Sequence, residues 1–137
     1  MIQDPRKVTY FPANTVADMD DVPLFRTTGV GGPVAVAVFP RTGETGADGD
    51  FITVNLHKLG NTTHSYAAIN MATGTDTTAN TWLALTPSTT YTSWAADETI
   101  ALTVVFTDEA NVNFGATQGT VLYQVDYLDA GYPRAFK

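Results

Sequence analysis

The sequence contains no cysteine among its 137 residues, which excludes a disulfide framework and any metal site built from thiolates. Lysine and arginine number only seven against fourteen acidic residues, and the formal net charge is −7. Since nucleic acids and anionic membranes attract clustered positive charge, we expect neither as a partner. The longest apolar run, residues 33–39, has the length of a strand and falls far short of the roughly 18 residues of a membrane span.

Charged residues are also scarce, at 15% of the chain against about 25% in a typical soluble domain. No segment has a convincing helical pattern, and one turn at 15–21 is the most that the sequence allows before Pro23. Alternation of apolar and polar residues instead predicts six to eight short strands. The sequence therefore indicates an all-β protein, an antiparallel β-sandwich whose long connections favour a jelly-roll or Greek-key topology.

The clearest local pattern is a hairpin formed by residues 51–58 and 63–71 around a tight turn at Gly60–Asn61. A two-residue turn there predicts three inward pairs, Leu56 with Ser65, Val54 with Ala67, and Ile52 with Ile69. Later strands are predicted at 34–39, 82–85, 99–107 and 120–128. Their expected inward residues include Ile100, Leu102, Val104, Phe106, Val121, Tyr123, Val125 and Tyr127.

Residues 1–32 are predicted to form an extended N-terminal arm, and residues 33–137 the sandwich domain. Short strands are expected at 7–11 and at 22–27, where Pro23 restricts the second to a sheet edge. The glycines of 29–33 predict a flexible joint. The arm carries large apolar residues that need a surface to cover them, in its own domain or in a neighbour. We therefore predict that Tyr10, Phe11, Leu24 and Phe25 bind a partner.

The residue pattern offers two candidate metal sites. The hairpin register places His57 opposite His64 on the solvent face, with Asn55 and Tyr66 as neighbours, and paired imidazoles can hold Zn²⁺. Three acids in a glycine-rich loop, Glu44, Asp48 and Asp50, could hold Ca²⁺, but the remaining ligands of a calcium loop are missing. We expect a surface pair and a solvated turn, and hence neither a metal nor another cofactor.

The sequence does not indicate an enzyme. The serines at 65, 88 and 93 lie in no nucleophile-elbow motif, and the neighbouring carboxylates of Asp97 and Glu98 would face opposite ways in a strand. A binding module is the alternative, because exposed aromatic rings stack on sugars. The candidate rings are Trp82, Tyr91, Trp94 and Tyr66, unless the two tryptophans close the ends of the sandwich.

Residues 51–127 resemble the jelly-roll domains of small structural proteins on tailed-phage virions. The resemblance lies in the alternating strand 52–58, the segment Trp94-Ala95-Ala96-Asp97-Glu98-Thr99-Ile100-Ala101-Leu102, and the closing Val125-Asp126-Tyr127. Ala96 occupies a position where glycine is usual. The resemblance covers over half of the chain.

The resemblance implies a capsid decoration, or cement, protein that binds the major capsid protein on the outer surface and stabilises the head. It also implies a homotrimer whose terminal arms bridge capsid subunits. The expected location is the virion surface, after synthesis in the host cytoplasm and without secretion. The alternative function is a carbohydrate- or receptor-binding jelly-roll module of a phage fibre.

Overall fold

The computed structural model describes residues 6–10, 19–40, 51–71, 80–107 and 121–130. These residues form β-strands joined by turns, and no helix among them is long and apolar enough to cross a membrane. The all-β prediction is therefore confirmed. The strands are β1 (Arg6–Tyr10), β2 (Met19–Arg26), β3 (Gly31–Pro40), β4 (Phe51–Lys58), β5 (Asn61–Asn70), β6 (Leu83–Ala84), β7 (Thr86–Pro87), β8 (Thr99–Thr107) and β9 (Val121–Asp129).

The strands pair antiparallel in two sheets that pack face to face, which confirms the β-sandwich. The first sheet has the order β1-β9-β3-β6 and the second the order β2-β8-β4-β5-β7. Short β6 and β7 belong to different sheets, so the chain passes from one sheet to the other at Leu85. That residue is buried, and its N–H donates to the Val36 carbonyl at 2.8 Å. The crossing closes one side of the sandwich.

The core fills the space between the sheets with the residues that alternation places inward. Ile52, Val54 and Leu56 of β4 are at most 1% exposed, as are Ile100, Leu102 and Val104 of β8. Four aromatic rings cluster within this core: Phe25, Tyr66, Trp94 and Tyr127. Phe25 stacks on Tyr127 with 4.0 Å between ring centroids, and the Trp94 ring meets the other three edge-on.

The register predicted for the hairpin is wrong by two residues along most of its length. Leu56 pairs with Ala67 and Val54 with Ile69, and the turn is Leu59–Gly60 because Lys58 pairs with Asn61. Asn61 explains the shift, since its side-chain oxygen accepts hydrogen bonds from Thr63 Oγ1 and the His64 N–H. This local turn replaces ladder hydrogen bonds and adds residues to β5. An even shift leaves the apolar side chains facing inward.

The described strands on both sides of residue 32 belong to the same two sheets, and the extended N-terminal arm is not confirmed. β1 pairs with β9, and β2 pairs with β8 at the edge of the second sheet, as Pro23 predicts. Residues 19–21 are strand, so no helical turn extends over them. Nor are Gly31 and Gly32 a flexible joint, because both lie in β3 close against other backbone.

Candidate functional site

The His57 side chain has a polar partner at each of its two ring nitrogens. It is fully buried although the sequence placed it on the solvent face, so that prediction is wrong. The His57 Nδ1 atom lies 2.8 Å from the Lys58 carbonyl, which fixes Nδ1 as a donor. The other ring nitrogen, Nε2, lies 2.7 Å from Thr103 Oγ1. With Nδ1 protonated, a neutral ring accepts a hydrogen bond from the threonine hydroxyl.

A distortion of β2 brings Asp21 close to this histidine. The register of β2 against β8 shifts between Met19 and Val22, and Asp21 adopts a positive φ of 50°. The Asp21 N–H then donates to Thr103 Oγ1 at 3.1 Å, and its carboxylate accepts the Gly60 N–H at 3.1 Å. The same carboxylate oxygen lies 3.6 Å from His57 Nε2. The bulge therefore ties β2 to β8 and to the turn of the hairpin.

The residue types of this cluster are those of a catalytic triad, but their arrangement is different. In a triad the carboxylate holds Nδ1 while Nε2 faces the nucleophile. Here Nδ1 donates to a backbone carbonyl, and Asp21 lies beside Thr103 on the Nε2 side of the ring. Thr103 is also only 6% exposed, so its hydroxyl is hidden from a substrate. The cluster is built to hold three strands together.

A second polar cluster surrounds Glu98 at the start of β8. Its carboxylate accepts hydrogen bonds from Tyr66 Oη at 2.9 Å and from the Ala95 N–H at 3.2 Å, and Lys58 Nζ lies 3.2 Å away. Burial alone would raise the pKa of Glu98, but the bonds from Tyr66, Lys58 and Ala95 lower that pKa below its ordinary value. Burial, and then the bond to Glu98, raise the pKa of Tyr66 well above 10.0.

Thr27 and Asp129 are buried polar residues that the sequence did not single out. The Thr27 hydroxyl donates to the Ala95 carbonyl at 2.6 Å and accepts the Glu98 N–H at 2.9 Å. Asp129 accepts the Thr28 N–H at 2.7 Å. Both residues fasten the end of β2 to neighbouring segments. Their only sequence signal is a hydroxyl or carboxylate at a strand end, which many turns share.

The structure does not bring the two histidines together. His57 pairs with Ser65, whereas the His64 ring stacks on Tyr91 with 3.9 Å between centroids. The predicted pair of imidazoles is therefore wrong, and the described residues contain no group of three metal-ligating side chains. The acids predicted for calcium, Glu44, Asp48 and Asp50, lie outside the described residues.

The four candidate sugar-stacking aromatics separate into two pairs. Trp94 and Tyr66 are at most 2% exposed and belong to the core, so the prediction that they offer a stacking face is wrong. Trp82 and Tyr91 are 45% and 37% exposed, and thus Trp82 does not close an end of the sandwich.

The predicted partner-binding residues lie in or beside β1 and β2. Leu24 and Phe25 pack against the core of their own chain and are only half-buried. The backbone of Tyr10 pairs with Tyr123 in β9. Phe11 lies outside the described residues. Binding of a partner by these four residues stays a prediction.

An apolar cleft opens where β3 faces the crossing from β6 to β7. Its volume is about 300 Å³, and its lining consists of proline, valine, alanine and leucine: Pro33, Val34, Ala35, Val36, Ala37, Ala67, Ala84, Leu85 and Pro87. Beside the cleft, Phe39 contacts Trp82 with 4.9 Å between ring centroids. This is an exposed apolar region with large and small side chains next to each other.

Comparison with known proteins does not supply a relative. No protein-family model matches the chain, and searches of curated proteins and of solved structures give no significant match.

Proposed function

We propose that this chain is a structural protein of a tailed-phage virion, a capsid decoration or cement protein that binds the outer capsid surface and stabilises the head. The resemblance of residues 51–127 to such domains is one support. The partner would be the major capsid protein, and the chain would act without a cofactor. Stabilisation would arise from physical contacts repeated over the capsid lattice.

The strand order is the observation that carries the proposal. With two-residue β7 set aside, the eight remaining strands form the sheets β1-β9-β3-β6 and β2-β8-β4-β5. Six of their seven connections pass from one sheet to the other. This connectivity supports assignment to the double-sheet jelly rolls, a fold used by viral capsid and lectin domains. The step from fold to function is an analogy.

Attachment would depend on apolar surface that the sandwich leaves exposed. Val30 is 63% exposed, and Val34 and Trp82 are about half exposed. At roughly 1.5–3 kcal/mol for each large apolar side chain that becomes fully buried, a few such contacts per copy would reinforce a shell.

Immunogold electron microscopy of virions from the source of the chain tests the proposal. An antibody against the purified protein should label the outer surface of intact heads. Labelling of the fibres alone would replace the proposal with the alternative function, and unlabelled virions that also lack the protein in their denatured extracts would contradict both.

The alternative, a carbohydrate- or receptor-binding module of a fibre, is favoured by one local observation. Tyr91 is 37% exposed and stacks on the half-buried ring of His64, which presents a flat aromatic surface with polar edges. If this surface binds glycans, Tyr91→Ala should abolish binding to a glycan array while Leu59→Ala, at a similarly exposed apolar position, leaves it unchanged. A wild-type protein that binds no glycan would argue against this function.

A further inference from the structure

His57 and Asp21 form a contact between β4 and β2 that the proposed function does not use. Histidine is the side chain whose charge ordinarily changes between about pH 5 and pH 8, and its neighbours decide what that change does. The His57 side chain is completely buried. The Asp21 side chain is 40% exposed, and its Oδ1 atom lies 3.6 Å from His57 Nε2. The contact therefore joins a buried imidazole to a carboxylate that still reaches water.

The hydrogen bonds around the ring are those of a neutral histidine. Nδ1 donates to the Lys58 carbonyl at 2.8 Å, which leaves Nε2 to accept the Thr103 hydroxyl at 2.7 Å. The Thr103 oxygen in turn accepts the Asp21 N–H at 3.1 Å. Nε2 and Asp21 Oδ1 are then both acceptors, and two acceptors do not attract each other. Their separation of 3.6 Å agrees with this state.

Asp21 is the charged group that contacts the ring among the described residues. Asp20, the preceding acid of β2, is exposed. Lys58 follows His57 on its own strand, but the Lys58 ammonium lies 3.2 Å from Glu98 Oε1. The neighbouring strands bring residues that do not titrate: Thr103 and Ala101 of β8, and Ser65 of β5. A charge on the ring would therefore act first on Asp21.

Protonation of the ring reverses the role of Nε2. A proton from solvent on Nε2 makes this atom a buried, positively charged donor, and the Thr103 hydroxyl can no longer donate to it. Hydrogen bonds between an imidazolium and a carboxylate are shorter and stronger than bonds between neutral groups. Asp21 Oδ1 is the anionic acceptor within reach. We therefore expect this oxygen to move towards the ring.

The same oxygen already holds the turn of the hairpin. Asp21 Oδ1 accepts the Gly60 N–H at 3.1 Å. Gly60 is exposed, so its N–H can donate to water once the carboxylate leaves, whereas His57 Nε2 is shut off from water. An unpaired donor costs more free energy when it is buried. The competition between the two donors therefore favours the ring.

We propose that the cluster of His57, Thr103 and Asp21 is a pH-sensitive switch on the hairpin turn. Protonation of His57 draws the Asp21 carboxylate to Nε2, and Gly60 loses its bond to β2. Mild acid thus loosens the end of the sandwich at which β2, β8 and the hairpin meet. The switch does not depend on the proposed function.

An NMR titration of the wild-type chain between about pH 8 and pH 5 tests this switch. The Gly60 amide resonance should shift with the same midpoint as the His57 ring protons, and the protection of this amide from hydrogen exchange should be lost below that midpoint. The range ends above about pH 4, where carboxylates themselves protonate. A His57 ring that stays neutral throughout, or a Gly60 amide that does not follow its titration, would overturn the proposal.

Asp21→Asn separates the charge of this residue from its hydrogen bonds. Asparagine keeps an oxygen for the Gly60 N–H and tolerates the positive φ of 50°, but it carries no charge for the protonated ring to attract. The Gly60 shift should therefore disappear in this variant while its amide spectrum remains that of a folded chain. A folded Asp21→Asn variant that keeps the shift would contradict the role of the carboxylate.

His64→Gln is the matched control for the second histidine. His64 lies in the same hairpin as His57, but its ring stacks on Tyr91 with 3.9 Å between centroids. The Gly60 shift should persist unchanged in this variant. Its loss would assign the transition to His64 and would overturn the proposal.

Discussion

Among the described glycines, Gly31 has the least space for a side chain. A Cβ atom at this position would lie 1.8 Å from the Leu128 carbonyl oxygen and 2.6 Å from its carbon. The Gly31 backbone is also held on its other side, where its N–H and carbonyl bond to Trp94. Neither neighbour is a flexible side chain that could move aside, so only glycine fits between them.

We therefore predict that Gly31→Ala prevents folding or lowers the melting temperature severely, as measured by circular dichroism. Gly60→Ala is the control. Gly60 has a positive φ of 77° but open space around its missing Cβ, so alanine there should cost only about 1–2 kcal/mol for the backbone conformation. Equal effects of the two substitutions would contradict the close approach at Gly31.

The two tryptophans should differ sharply in their contribution to stability. Trp94 is 2% exposed and contacts Phe25, Tyr66 and Tyr127, so Trp94→Ala should cost about 3–5 kcal/mol in the free energy of unfolding. Trp82→Ala should change it by about 1 kcal/mol or less in the monomer, because nearly half of the ring is already exposed. Urea unfolding measures both, and similar losses would contradict the core assignment of Trp94.

The bonds at Glu98 predict a dependence of stability on pH. Because its pKa is lower in the folded than in the unfolded chain, its contribution is fully present above the ordinary value of 4.5 and is lost as the pH falls below it. Tyr66 affects stability at alkaline pH. Its raised pKa contributes stability below pH 10.0 that is lost as the pH rises above that value.

Denaturant unfolding between pH 3 and pH 7 should show the Glu98 contribution. Glu98→Gln should lose less stability on acidification than the wild type, since glutamine has no carboxyl group to protonate. Asp20→Asn removes the same charge from an exposed residue and is the control. An unchanged acid slope in Glu98→Gln would show that the carboxylate contributes nothing.

At the scale of elements, the two N-terminal strands are structural parts of the sandwich. β1 forms the edge of one sheet, and β2 forms the edge of the other. β2 also supplies Phe25 to the aromatic cluster and Asp21 to the His57 cluster. The extended N-terminal arm predicted from the sequence is not confirmed, and these contacts indicate that the fold needs both strands.

Deletion of residues 1–27 should therefore unfold the chain or leave it molten. Deletion of residues 1–10 removes β1 and leaves β2, and it should give a smaller loss of melting temperature. Among the described side chains of β1, the half-buried Val8 is the one that packs against the core. Circular dichroism and one-dimensional proton NMR would measure both. A native-like spectrum from the longer deletion would restore the idea of a separable arm.

The elements also differ in how far the sequence could predict them. Alternation predicts β4, β8 and β9 with their buried faces. Successive side chains of a strand point to opposite faces of the sheet, so a sheet with one buried face has apolar residues at every second position. The register of the hairpin was not predictable from the pattern. It depends on whether the backbone N–H groups after the turn donate to the Asn61 side chain or to the neighbouring strand. The contact of His57 with Asp21 depends on a bulge in β2, about 36 residues earlier in the chain.

At the scale of the whole molecule, the fold class followed from the sequence but the surfaces did not. Trp82 is exposed and Trp94 is buried, although each follows a hydroxyl residue and precedes two apolar residues in the sequence. Only the packing of the sheets makes one tryptophan exposed and the other buried. β3 shows the converse case. The apolar run of residues 33–39 predicts a strand, but it does not predict that Val34 and Ala35 are exposed.

The position of β9 has a consequence for how the molecule forms during synthesis. β9 is paired on both sides, with β1 and with β3, although it leaves the ribosome about 80 residues after β3 is complete. The first sheet therefore cannot be completed before β9 is synthesised, and until then β1 and one edge of β3 lack the strand with which they pair. Folding dominated by such distant pairings is slow, in the range of milliseconds to seconds. The nascent chain would expose strand edges for longer than a helical protein does, and exposed strand edges favour aggregation during folding.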